Sequence, residues 1–139
     1  QNFIAVDEGY RKIAAGADVY RAVQGGLTTT KAVINDKPEL VTKVIRATQK
    51  AVRLFRNDKK YAVEFIRGPF LDMGKDRDKY AERVYEAAVG YLSTTGTVDE
   101  KLQREMIATA AQRTKLAQPP PPERVFDFSF AQKVGDTLK

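Results

Sequence analysis

DKPELVTKVIRATQKAVRLFR, residues 36–56, is the longest run of the sequence with a clear helical period, and the rest of the fold is predicted around it. Its apolar residues recur at three- and four-residue spacing, which predicts one long α-helix. They are Leu40, Val41, Val44, Ile45, Ala47, Ala51, Val52, Leu54 and Phe55. Because they cover a wide arc, we expect this helix to be buried against more than one neighbour. Asp36 and Glu39 are spaced as an acidic capping box around Pro38, so we expect the helix to begin at Asp36.

The opposite side of this predicted helix is basic, with Lys43, Arg46, Lys50 and Arg53. A basic stripe is a candidate surface for nucleic acid. No aromatic residues alternate with these basic residues, as they do on proteins that stack bases. We therefore interpret the stripe as a solvated face and predict no nucleic-acid partner.

The composition removes several kinds of chemistry. The 139 residues include no cysteine, which excludes disulfides and thiolate ligands, and no histidine, the commonest general base. The net charge is +6, from 24 Lys and Arg against 18 Asp and Glu. Acidic and basic residues are interspersed, so the excess is interpreted as solubility charge, although it also suits an acidic solute. No metal site, cofactor or catalytic constellation is predicted.

In the first half of the chain, we predict a helix over residues 2–15, a short strand over 19–23 and a short helix over 29–35. One or two short strands are expected near residues 18 to 27. After residue 56, Asn57 and Asp58 end the long helix and cap the next one, which Gly68 and Pro69 stop. Phe70 and Leu71 are expected to tuck into the core.

In the second half, the apolar spacing predicts a helix from Asp76 or Asp78 to about residue 92. Thr97 and Glu100 form a capping box for a further helix that runs to about residue 116. The four prolines at 119–122 predict an extended spacer. Phe126 and Phe128 are too apolar for a free tail, so we expect the tail to be docked, with a last short helix that ends at Gly135.

Thr28, Thr29 and Thr30 precede the predicted short helix. One interpretation is a helix N-cap, a common use of threonine. The other is a cluster of hydroxyls that holds an anionic group beside a helix start. Both interpretations remain open on the sequence alone.

Four segments resemble a known family when they are taken in order. They are Gly9-Tyr10, Gly26-Leu27-Thr28-Thr29, the long helix with its Asn-Asp break, and Val125-Phe126-Asp127-Phe128-Ser129-Phe130. This order resembles the C-terminal portion of type II periplasmic solute-binding proteins of ABC importers, in the group that binds nitrate, sulfonates, taurine and thiamine precursors. The resemblance covers the whole of this chain but only the later part of such a protein.

The resemblance implies a mostly α chain with one or two short strands, forming the C-terminal part of a two-lobed α/β fold. Residues 1–118 would form the helical lobe and hinge portion, and 119–139 a Pro-rich connector with a docked tail. The implied function is capture of a small anionic or heterocyclic solute between two lobes, with Thr28 and Thr29 near the cleft. The implied partners are the solute, the membrane permease and a missing N-terminal half of the same protein. The implied location is the periplasm or the outer face of the cytoplasmic membrane.

Two alternatives come from other classes of protein. One is a self-sufficient helical domain that binds a protein or nucleic acid, and the other is an enzyme of the same fold, such as a thiamine-pyrimidine synthase. The enzyme is disfavoured because those synthases use histidine and cysteine. A chain that lacks the strands expected over one side of its helices should expose a large apolar patch. We expect that patch to be covered by a second copy or by the missing half.

Overall fold

A computed structural model describes residues 2–16, 22–23, 25–70 and 75–138, and these are mostly helical, with no strand among them. The α-helices are α1 Asn2–Asp7, α2 Lys31–Asp36, α3 Pro38–Asn57, α4 Lys59–Phe65, α5 Ala81–Tyr91, α6 Glu100–Thr114 and α7 Ser129–Thr137. A π-helical turn covers Ile66–Phe70, and 3-10 turns cover Lys75–Tyr80 and Pro122–Arg124. The mostly helical class is confirmed. Of the residues near 18–27 in which one or two short strands were predicted, 22–23 and 25–27 are described and form no strand, and the others lie outside the described residues. The two-lobed arrangement stays a prediction.

The chain forms two compact units. The first unit contains residues 1–15 and 48–94, and the second contains 16–47 and 95–139. Helix α3 contributes its first half to the second unit and its second half to the first. The predicted boundary between 118 and 119 stays a prediction. No helix in the described part of the chain is long and apolar enough to cross a membrane.

The core of the first unit lies between α4, the π-helical turn and α5. Its buried members are Ala62, Val63, Ile66, Ala81 and Tyr85, and Phe55, Val84 and Val89 pack against them. Ala62 and Ala81 are both 0% exposed. Because two small side chains lie where α4 and α5 meet, the helix backbones can approach closely, and the larger side chains fill the space on either side.

Polar contacts join the C-terminal end of α3 to α5. The Arg56 guanidinium donates from Nη1 to the carbonyl oxygens of Val89 at 2.6 Å and Leu92 at 3.1 Å. In return, the Tyr85 hydroxyl donates to the carbonyl of Arg56 at 3.1 Å. The last carbonyls of a helix lack partners within it, so Arg56 satisfies two acceptors at the negative end of α5.

Helix α1 is shorter than predicted. The sequence pattern predicted one helix over residues 2–15, but Gly9 adopts φ +92° and ends the helix. The amide of Gly9 donates to the carbonyl of Val6, and that of Tyr10 donates to Ala5, which is the hydrogen-bond pair of a Schellman motif. Gly9 is therefore the residue that stops α1, and the residues after it to position 15 have no regular structure.

A charged cluster docks α1 within the first unit. Asp7 accepts from Arg83 at 3.0 Å and forms an ion pair with Lys79 at 3.5 Å. The hydrogen bond from Arg83, followed by one from Tyr80, holds the pKa of Asp7 below its usual value. The Arg83 guanidinium also lies 4.6 Å from the centre of the Phe3 ring. These contacts explain how a helix of six residues is held in place.

One predicted helix start is confirmed and three are wrong. The helix predicted from Asp76 or Asp78 is a 3-10 turn over Lys75–Tyr80 and becomes α-helical only at Ala81. Asp58 caps α4 by accepting from the amide of Tyr61 at 2.9 Å, as predicted. The long helix was expected to start at Asp36, but Asp36 ends α2, and the carbonyl of Lys37 accepts the first bonds of α3. Helix α6 is capped by Asp99 rather than by Thr97, whose hydroxyl pairs with that of Thr95.

The segment after α4 also differs from the prediction. Gly68 and Pro69 were expected to stop the helix, but the chain continues through them as the π-helical turn. Phe70 was expected in the core and is instead 65% exposed, stacked on the ring of Phe65 at 5.8 Å. Leu71, predicted to share its role, lies outside the described residues.

In the second unit, α6 buries Leu102, Ile107 and Ala111. The C-terminal segment buries Pro122, Ala131 and Val134, and Val134 is only 1% exposed. Phe126 and Phe128 are half-buried and stack on each other at 5.8 Å. Helix α7 passes Gly135, which was expected to end it, and continues to Thr137.

Candidate functional site

Thr28 and Thr29 lie in an exposed segment without regular structure, directly before α2. The short helix predicted there exists, but its N-cap is Thr30, whose hydroxyl accepts from the amide of Val33 at 3.2 Å. The capping role that could have explained the threonines therefore belongs to Thr30. The assignment of Thr28 and Thr29 to a solute site stays a prediction.

The basic stripe of α3 is divided between solvent and internal contacts. Arg46 is half-buried and donates to the hydroxyl of Thr137 at 3.1 Å, which fastens α7 to α3 within the second unit. Arg53 is half-buried as well, whereas Lys43 and Lys50 are exposed. A surface for a nucleic-acid backbone needs its cations free to meet phosphates, and half of this stripe is partly withdrawn from water.

The apolar arc of α3 is only partly covered. The half-buried residues are Val41, Ile45, Val52 and Phe55. A neighbouring row of five residues remains exposed: Leu40, Val44, Ala47, Ala51 and Leu54. Helix α3 contacts α5 in the first unit and α7 in the second, so the expectation of more than one neighbour is confirmed, but these neighbours leave this row exposed.

We call these five residues the α3 stripe. Leu40 is 50% exposed, Val44 43% and Leu54 48%. The sequence carried the signal, because the five positions alternate between four- and three-residue spacing. Sequence reasoning missed the α3 stripe because it merged these positions with the half-buried residues beside them into one arc.

A second exposed apolar feature lies on α4 and the π-helical turn. The ring centres of Tyr61 and Phe65 are 6.4 Å apart, and those of Phe65 and Phe70 are 5.8 Å apart, with interplanar angles of 17° and 23°. All three rings are exposed. Each ring is stacked on a neighbouring ring of the chain, an arrangement that aromatic pairs prefer.

The remaining clusters of titratable groups are ion pairs at helix surfaces. Lys59 lies 3.3 Å from Glu86 and 3.4 Å from Glu82, and Glu86 is the main cause that raises the pKa of Lys59. Within the described ranges, no group of three or more acidic residues is placed to hold a metal ion. Lys59 thus connects α4 to α5, whereas the described pairs Lys101–Glu105 and Arg104–Glu100 lie along α6, so each is explained by pairing on helix surfaces.

Comparison of the chain with protein-family models, with curated proteins and with solved structures finds no match. The family suggested by the four sequence segments therefore stays a prediction.

Proposed function

We propose that this chain is part of the solute-binding component of an ABC importer, which captures a small anionic or heterocyclic solute between two lobes and presents it to the membrane permease. The proposal rests on the order of the four segments that resemble this family. We also propose that the protein is located in the periplasm or on the outer face of the cytoplasmic membrane, and that the remainder of the same protein supplies the other lobe. It includes no catalytic step and no nucleic-acid partner.

The positions of the four segments in the fold support the proposal. Gly9-Tyr10 ends α1, and Gly26-Leu27-Thr28-Thr29 leads into α2. Asn57-Asp58 separates α3 from α4, and the Val125–Phe130 segment leads into α7. Each segment therefore lies at a helix boundary, where particular residue types are needed to turn the chain.

The observation that carries the proposed site is the position of the N-cap of α2. Thr30 provides the capping hydroxyl, while Thr28 and Thr29 are exposed on its N-terminal side. Since local structure does not require these two hydroxyls, their proposed role is to donate hydrogen bonds to an oxyanion or a ring nitrogen of the solute.

A test of this function uses the full natural protein that contains this chain, because a cleft needs both of its walls. Calorimetry against nitrate, taurine and an aminopyrimidine should show binding of one of them. The double variant Thr28→Val and Thr29→Val should weaken that binding by about tenfold, because a hydrogen bond contributes about 0.5–1.5 kcal/mol. Absence of binding to all three solutes would contradict the function.

The control for the site is Thr30→Val, which removes an adjacent hydroxyl that serves only the helix. It should lower the melting temperature, because loss of an N-cap costs about 1 kcal/mol, and leave affinity unchanged. Solute affinity that survives the Thr28 and Thr29 double substitution would remove these residues from the site and leave the importer function standing.

A further inference from the structure

Helix α1 is held at the surface of the first unit and does not contribute to its core. The buried members of the core cluster belong to α4, the π-helical turn and α5. In α1, Phe3, Ile4 and Ala5 are half-buried, whereas Val6 and Asp7 are exposed. Segments with few buried apolar contacts open at a lower free energy than the core of the same domain. Opening of α1 would therefore leave the buried contacts of the core cluster in place.

The chain that follows α1 permits such an opening. Gly9 ends the helix with φ +92°, and residues 10–14 are all exposed and have no regular structure. The side chain of Ile13 is 93% exposed. Exposed residues without regular structure can change conformation with little loss of buried contacts. Displacement of α1 therefore does not require α4 or α5 to move.

Four side chains hold α1 in place, and we call them the Asp7 cluster: Phe3, Asp7, Lys79 and Arg83. The guanidinium of Arg83 donates to the carboxylate of Asp7 at 3.0 Å and lies 4.6 Å from the centre of the Phe3 ring. The ammonium of Lys79 lies 3.5 Å from the other carboxylate oxygen of Asp7. Phe3 and Asp7 are four residues apart, so they lie on the same face of α1, and Arg83 contacts both.

The ion pairs of the Asp7 cluster are open to solvent. The side chains of Asp7 and Arg83 are 36% and 39% exposed, and that of Lys79 is 63% exposed. An exposed ion pair is weak by itself, and dissolved salt weakens it further. The core between α4 and α5 depends instead on burial of apolar side chains. Ionic strength should therefore affect the docking of α1 more than the core.

We propose that α1 is a latch, an element that detaches while the core of the first unit stays folded, and that the Asp7 cluster keeps it closed. In the open state, residues 2–8 leave α5 and the 3-10 turn before it. Tyr80, which is 5% exposed, then loses its hydrogen bond to Asp7. The latch is independent of the proposed solute-binding function, and its test involves no solute.

The test is hydrogen exchange with mass spectrometry on the full natural protein that contains this chain. One peptide covers residues 2–8, and a second covers residues 60–66, which include core positions. After correction for intrinsic rates, we expect residues 2–8 to exchange about tenfold faster or more than residues 60–66. A change from 50 mM to 500 mM salt should speed exchange of residues 2–8 about threefold and leave that of residues 60–66 unchanged.

Substitutions identify the contact that closes the latch. Asp7→Asn keeps the shape of the side chain but removes its charge, so it should speed exchange of residues 2–8 about fivefold and remove most of the salt dependence. Glu8→Gln is the matched control, because Glu8 is the next residue, is exposed and forms no ion pair with a described residue. It should not speed this exchange.

Arg83→Gln should act at least as strongly as Asp7→Asn, because it removes the contact with Phe3 as well. Since both substitutions remove the same ion pair, their combined effect should be smaller than the product of the two separate effects. The peptide of residues 60–66 shows in the same experiment whether the core of each variant remains folded.

Three results would overturn the proposal. Exchange of residues 2–8 at the rate of residues 60–66 would show that α1 opens only together with the core. Faster exchange that does not respond to salt, Asp7→Asn or Arg83→Gln would show that other contacts hold α1. Equal acceleration of both peptides by Asp7→Asn would show that the cluster stabilises the whole unit and closes no latch.

Discussion

The backbone of Lys115 has an unusual conformation at the C-terminal end of α6. Its φ is +55°, and it is the one non-glycine residue of the described chain with a positive φ. Its amide points back to the carbonyls of Ala111 and Gln112, and the amide of Leu116 donates to Ala111 at 2.9 Å. This is the position after a helix at which glycine is commonly found, because its lack of a Cβ removes the steric cost.

Lys115→Gly should therefore stabilise the chain. Relief of the left-handed conformation is worth about 1–2 kcal/mol, offset in part by the larger entropy of an unfolded glycine. We expect the melting temperature measured by circular dichroism to rise by a few degrees. Ala108→Gly, at an exposed position inside the same helix, is the control and should lower stability by about 1 kcal/mol. A lower melting temperature for Lys115→Gly would show that the lysine side chain has a stabilising role that outweighs the strain.

At the scale of single residues, the sequence predicted some helix-capping residues correctly and others wrongly. Asp58 was identified correctly because Asn57 and Asp58 form an isolated break between two apolar runs. At the start of α6, Thr97 and Asp99 both have side chains that can cap, and the sequence pattern chose the wrong one. Asp99 has the extended backbone of an N-cap, with φ −66° and ψ 153°, and its side chain accepts from the amide of Leu102. Local propensity alone does not contain that information.

At the scale of elements, the join between α3 and α5 depends on Arg56. One guanidinium nitrogen serves two carbonyls at the end of α5, and the Tyr85 hydroxyl returns a bond to the backbone of α3. The ring of Phe55 packs at a tilt of 36° against that of Tyr85, with the ring centres 5.2 Å apart. Polar and aromatic contacts thus connect the two helices over adjacent turns.

Arg56→Ala should destabilise the chain by about 2–3 kcal/mol, because it leaves part-buried carbonyls without a charged donor. Tyr85→Phe removes a single neutral hydrogen bond, keeps the ring and should cost about 1 kcal/mol. Both are measured by urea denaturation. Arg104→Ala is the matched control: its ion pair with Glu100 is exposed on one helix, so its loss should cost under about 1 kcal/mol. Equal losses for Arg56→Ala and Arg104→Ala would show that Arg56 does not join these helices.

Periodicity predicted which elements exist more reliably than where they end or what covers them. The pattern over residues 36–56 led to α3 with its C-terminal end placed within one residue. The apolar pattern over residues 2–15 made the predicted α1 too long. A single glycine inside such a pattern is compatible with a continuous helix, and only the φ of Gly9 shows that the helix ends there. Periodicity also shows that Leu40 and Val41 are apolar, but only tertiary structure shows that Val41 is half-buried and Leu40 exposed.

At the scale of the whole molecule, the candidate site is less predictable than the fold. Thr28 and Thr29 contact a solute only if residues distant in sequence complete the other wall of a cleft. A local sequence pattern cannot predict which distant residues form that wall. A helix N-cap, by contrast, involves only about four consecutive residues and can be predicted locally. For this reason the sequence located α2 to within two residues but left the use of its preceding hydroxyls to binding experiments.

The C-terminal segment should contribute to the stability of the second unit. The side chains of Ala131 and Val134 in α7 are buried. The guanidinium of Arg46 in α3 also donates a hydrogen bond to the hydroxyl of Thr137 in α7. Removal of residues 119–139 should therefore expose apolar surface and lower the melting temperature, since a buried large apolar side chain contributes about 1.5–3 kcal/mol. Val134→Ala isolates one contact and should cost about 1.6 kcal/mol for two buried methyl groups, whereas Val125→Ala, at a side chain that is 52% exposed, should change little. Thermal melts and sedimentation of the three variants check this prediction. If the truncated chain melts at the temperature of the intact chain and stays monomeric, the segment is a free linker and Phe126 and Phe128 do not anchor it.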